Sequence, residues 1–107
     1  MREIKESDWK ILLQLHSDAL ERFCKQILLE IEFIHSQSTK SFHQKYLDIY
    51  ATLQRRDKEI AQTFNNLRRS TALIQLVEMK ARGLLIEDEF SRFSQETQDI
   101  VAPMLES

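Results

Sequence analysis

One glycine, Gly83, and one proline, Pro103, in 107 residues constrain this chain more than any motif does. Average usage would place roughly seven glycines and five prolines in a chain of this length. Those residues supply the positive-φ turns, tight connections and phosphate-cradling loops on which strands and nucleotide sites depend. A chain nearly without them is built of long helices with few connections, so the expected fold class is all-α. The lone glycine stands where a helix should end. No catalytic, metal or nucleotide motif is present, and the sequence therefore speaks to shape and assembly before chemistry.

A first helix is expected from about Ser7 to His35. Trp9, Leu12, Leu13, Leu20, Phe23, Ile27, Ile31 and Ile34 mostly recur three or four residues apart, which is the helical period. Glu6–Lys10, Asp18–Arg22 and Glu21–Lys25 add acid-to-base pairs on the wet face. Asp18-Ala19-Leu20-Glu21 also reads as a capping box, so this segment is one helix or a short helix followed by a longer one. Ser36-Gln37-Ser38-Thr39-Lys40-Ser41 is polar, aperiodic and rich in N-cap residues. So short a connection makes the next helix antiparallel to the first.

The second helix is expected from about Ser41 to Arg82. Tyr46, Leu53, Ile60, Leu67, Ile74 and Ala81 repeat every seven residues, with Phe42, Ile49 and Val77 in the partner row. Arg56, Thr63 and Ser70 interrupt that row, and the stripe widens toward Phe64. Unbroken, such a helix is roughly 60 Å long, whereas a compact domain of this size has a radius of gyration of ~13 Å. Either the helix breaks, around Asn65-Asn66, or a second subunit covers it. The expectation is a single domain over 1–107 that forms a homodimeric helical bundle, a long antiparallel hairpin with short C-terminal helices. Its self-association seam is Leu53, Ile60, Phe64, Leu67 and Ile74.

Gly83 is expected to end the second helix, with Leu84-Leu85-Ile86 folding back as an apolar plug. A short acidic helix over about 87–93 and a last helix over about 95–105 follow, the latter frayed or kinked at Pro103. Gly83-Leu84-Leu85-x-x-x-Glu89-Phe90, preceded by Leu73, Leu76 and Met79 on a helix, resembles the short C-terminal oligomerisation (SHOCT) motif. That resemblance covers residues 73–93 and implies self-association. The blocks Ala19 to Cys24, Leu67 to Leu73 and Gly83 to Ser94 also resemble small uncharacterised helical bacterial proteins, a likeness that implies no activity.

Charge is uneven. Residues 36–82 hold nine Lys/Arg against four Asp/Glu, and residues 83–107 hold one against six. The acidic tail is expected to fold against the basic segment of its own chain or a neighbour's. Arg55, Lys58, Gln62, Asn65 and Arg69 step by three and four along one polar face. Arg68 and Arg69 have no acid at i±3 or i±4, as suits multi-donor recognition of carboxylates or phosphates. Arg55, Lys58, Arg68 and Arg69 are the candidate partner-binding basic face. The competing readings are a solvated helix face or salt bridges to residues 87–89.

His16, Cys24, His35 and His43 match no zinc spacing. His16 reads as a packed histidine with one hydrogen bond, and Cys24 as a buried small hydrophobe. No catalytic residue, cofactor or metal is expected, and no membrane span. A single cysteine and no secretory leader point to a reduced, cytoplasmic setting. The expected function is a non-enzymatic interaction or oligomerisation module, an adaptor or regulator. The first alternative is a nucleic-acid-associated regulator using the basic face. The second is a small helical-bundle enzyme of the chorismate-mutase kind, for which only Arg56, at a seam position, supplies a hint.

Overall fold

The computed structural model describes residues 3–105. Among them are five helices and no strand: α1 Glu6–His35, α2 Phe42–Phe64, α3 Ala72–Ala81, α4 Glu87–Phe90 and α5 Gln95–Leu105.

α1 runs without interruption through His16–Asp18. Leu12, Leu15, Ala19, Phe23 and Ile27 form one buried stripe across that point, and Asp18 lies exposed. Continuing the stripe buries more than a break there would, so the capping-box residues stay inside the helix. Ser41 caps α2 by accepting the Gln44 amide at 3.1 Å. α1 and α2 are antiparallel: His16 of α1 lies by Phe64 at the end of α2, and Glu30 lies by Arg55 and Arg56.

The expected helix over 41–82 is divided. α2 stops at Phe64, Asn65 turns extended with ψ 151°, and Asn66 takes a left-handed φ of 54°. Asparagine is among the few residues that enter that region at low cost. The amide of Gln75 closes the gap by donating to the carbonyls of Thr63 (3.2 Å) and Asn65 (3.1 Å). The break lets α3 fold back and bury Ala72, Leu73, Leu76 and Met79. A straight helix would leave those side chains in water, and that difference in burial outweighs the lost turns of helix.

Gly83 has φ +72°, the left-handed conformation of a helix C′ residue. Leu84 N–H reaches back to the Met79 carbonyl at 3.0 Å and Gly83 N–H to Lys80 at 3.1 Å, a Schellman closure. Leu84 and Leu85 then enter the core, while Ile86 stays half exposed. α5 continues through Pro103 to Leu105.

The core occupies one end of the molecule, where α3, α4 and α5 pack around the first two-thirds of α1. Its centre is Leu12, Phe23, Leu76, Met79, Leu84, Phe93 and Val101. The other end is an arm. Among the described residues, buried apolar side chains jump from Ile27 to Phe64, so the outer part of α1 and the part of α2 before Arg56 project beyond the core. The molecule accordingly measures 51 × 27 × 25 Å with a radius of gyration of 16.5 Å, against ~13 Å for a compact chain of this length.

Candidate interaction surface

The arm carries its apolar residues outward. Phe42 is 83% exposed, Tyr46 64%, Tyr50 53%, Leu53 46% and Leu47 43%. At the helical repeat these five fall within an arc of roughly 140°. The adjoining side of α2, including Ile49, Thr52, Arg56 and Glu59, is half-buried or buried. Tyr46 and Tyr50 stack with ring centroids 6.4 Å apart, and the Lys45 ammonium lies 5.4 Å from the Phe42 ring centroid. Leu28, Leu29 and Phe33 of α1 are also exposed. Between the two helices a groove of about 290 Å³ is walled by Cys24, Ile27, Leu28, Leu53, Asp57 and Ile60, with Arg56 at its side. Soluble monomers rarely leave so many large apolar side chains contiguous on one helix face.

A charged network holds the base of the arm. Glu30 accepts from Arg55 (2.9 Å) and Arg56 (2.8 Å). Arg56 also reaches Glu59 (3.0 Å), and Arg82 reaches Glu59 (3.2 Å) and Glu78 (3.4 Å). Arg56 and Arg82 both lie over the Phe23 ring, 5.8 and 5.3 Å from its centroid. The bond from Arg56 holds the Glu30 carboxyl below its usual range, and burial opposes it more weakly. Arg56 thus faces carboxylates of its own chain.

The expected seam is split by the fold. Phe64 is buried beside Phe23 and His16, and Ile60 and Leu67 pack partly buried against the core. Only Leu53 and Ile74 face outward, and they sit on different helices. The outward row instead includes Leu47 and Tyr50, which the heptad count passed over. Phe42-Tyr46-Tyr50 was visible as an i, i+4 row. Periodicity alone, however, does not say which of two apolar stripes the neighbouring helix will cover.

The basic face is divided as well. Arg55 is paired with Glu30, and Arg69 donates to the Ile4 carbonyl at 3.1 Å. Lys58 on α2 and Arg68 in the 65–71 turn are exposed. The acidic segment finds other cations: Glu87 pairs with Lys80, Lys5 with Glu96 at 3.0 Å, and Glu89 with Arg22 through bonds of 2.6 and 2.9 Å. Residues 87–89 therefore do not partner Arg68 or Arg69.

Two anchors had no local sequence signal. Arg22 bridges Glu89 and the Leu84 carbonyl (2.8 Å), while Glu89 also accepts the Ile86 amide at 3.0 Å. The bond from Arg22 keeps the Glu89 carboxyl below its ordinary range against the opposing pull of burial. Asp8, 1% exposed, accepts from Ser94 N (2.7 Å), Ser94 Oγ (2.6 Å) and Thr97 Oγ1 (2.6 Å). It latches α1, across 86 residues of chain, to Ser94, whose hydroxyl caps α5 by accepting the Thr97 amide at 3.3 Å.

His16 is half-buried with Nε2 3.3 Å from the Phe64 carbonyl. Cys24 is half-buried at the groove wall, more open than a core position because it lies off the α1 stripe. Among the described residues no three His, Cys, Asp or Glu come together to hold a metal ion, and no helix is long and apolar enough to cross a membrane. Comparison with protein-family models, curated proteins and solved structures found no match.

Proposed function

We propose that this chain is a non-enzymatic helical interaction module, an adaptor or regulator, that self-associates through the outward face of its arm. The observation that carries the reading is the row Phe42, Tyr46, Leu47, Tyr50 and Leu53, exposed on a helix that buries no apolar residue before Phe64. Covering aromatic and leucine side chains is the dominant source of association free energy. A face rich in Tyr and Phe with charges held to its margins is the composition of an interface centre.

The resemblance of residues 73–93 to an oligomerisation motif points to the same kind of role. Leu84, Leu85, Glu89 and Phe90 are spent inside the chain, so the arm is the surface left for assembly. Intramolecular partners for Arg55 and Arg69 remove two of the four cations on which a nucleic-acid reading depends. Arg56, facing Glu30 and Glu59, gives little to an enzymatic one. The setting that fits a single unpaired cysteine is a reducing, cytoplasmic one, and the likeness to small bacterial proteins agrees with it.

Light scattering at low and high salt tests the proposal. The expected result is a self-associated species whose mass is unaffected by salt and falls to that of one chain in Leu53→Glu, with helical circular dichroism retained. A single-chain mass for the parent, or an unchanged mass in Leu53→Glu, would overturn it.

A further inference from the structure

Resting on that reading, we infer that the occupant of the arm's outer face is a second copy of this chain, packed antiparallel about a two-fold axis at Tyr50. The argument is the distribution of chemistry along α2. A two-fold axis perpendicular to a helix at position 50 brings residue 50 + k of one copy to the height of residue 50 − k of the other at mirrored azimuths, so the two meet where both lie near the contact line and straddle it elsewhere. An isologous interface must satisfy all such pairs at once.

The residues this register brings to the contact line are compatible. Tyr50 meets Tyr50. Leu47 and Leu53, the two exposed leucines of the helix, flank the contact line on opposite sides, Leu53 beside the other copy's Tyr46 and Leu47 beside its Gln54. His43 meets Asp57, each seven residues from the centre and on nearly the same azimuth. Asp57 is exposed at the edge of the apolar groove, where a lone carboxylate is a liability in any interface that does not answer it. A parallel packing answers it badly, because it sets Asp57 against Asp57 and His43 against His43.

The axis also makes a geometric demand. Helices in contact have axes 8–10 Å apart with Cα atoms ~2.3 Å from each axis, which leaves about 4–5 Å between the two Tyr50 Cα atoms. That lies at the short end of disulfide range. The two His43 positions, by contrast, lie roughly 21 Å apart.

Cysteine cross-linking in a Cys24→Ser background, with helicity and mass measured alongside, tests the register. Tyr50→Cys is expected to give nearly complete disulfide dimer on mild oxidation. His43→Cys and Asp57→Cys are each expected to give none alone, and a mixed disulfide when combined. As an independent arm, His43→Asp should weaken self-association roughly tenfold by setting carboxylate against carboxylate at each of the two symmetry-related contacts. Adding Asp57→Lys to the same chain should restore it. Self-cross-linking of His43→Cys, or no cross-link at position 50 in a protein that still self-associates through Leu53, overturns the antiparallel register and leaves the proposed function standing. A parent of single-chain mass overturns both.

Discussion

Removing the Asp8 carboxylate should unlatch the C-terminal helix from the first. Asp8 is almost wholly buried and accepts three short hydrogen bonds, two from Ser94 and one from Thr97. Bonds to a charged acceptor contribute about 1.5–3 kcal/mol each. Deletion also returns the cost of stripping a carboxylate of water, and the Ser94 hydroxyl keeps its contact with Thr97 N at 3.3 Å. A net loss of about 2–4 kcal/mol remains for Asp8→Ala. For a chain of this length each kcal/mol moves the melting temperature by about 4–5 °C. The variant should therefore melt roughly 10–20 °C lower by circular dichroism.

The pH dependence supplies an independent check. Burial is the largest single influence on Asp8 and works to raise its pKa. The bonds from Ser94 and Thr97, with Lys5 nearby, together outweigh burial and hold the pKa below 3.8. A group depressed in the folded state stabilises at pH values above its unfolded pKa and loses that contribution as pH falls through the folded value. The gap between parent and Asp8→Asn should thus be widest near neutrality and shrink as pH drops below 3.8. An Asp8→Ala melt within about 3 °C of the parent, or a gap indifferent to acid, would refute the reasoning.

Other substitutions probe the remaining joints. Arg22→Met leaves Glu89 buried without its cation. The expected loss is about 2–3 kcal/mol, toward the low end for an orphaned charge because Arg22 is itself partly solvated. Because Glu89 is depressed below 4.5 in the parent, the difference should close in acid, and amides of the 84–90 corner should exchange faster at neutral pH. Gly83→Ala places a Cβ where nothing lies within 4 Å but φ is +72°. A cost of about 1–2 kcal/mol is then conformational alone, and denaturant unfolding with an unchanged m-value would register it.

Much of this fold was legible along the chain. The scarcity of glycine and proline announced helices, the Ser36–Ser41 run announced the hairpin turn, and Gly83 marked a helix end because no other residue type takes its φ so cheaply. The division of the central helix was legible only as one of two outcomes. Asn65-Asn66 permits a break, but the energy that selects it comes from Leu73, Leu76 and Met79 reaching a core built by α1 and α5. The working surface was legible in part. Leu53 belongs to both the heptad seam and the exposed row, whereas Phe64, Ile60 and Leu67 were drawn into the chain's own core.

What the sequence determined by itself is therefore what depends on near neighbours: helical period, caps, the left-handed glycine and the asymmetry of charge. Partnerships across long stretches of chain were decided by the tertiary structure alone. Asp8 with Ser94, Arg22 with Glu89 and Arg69 with the Ile4 carbonyl join residues separated by 86, 67 and 65 positions. No local pattern encodes such pairs, because the helix that presents each donor is oriented by packing of the other helices. The same packing chooses which apolar stripe is covered and which is left outward.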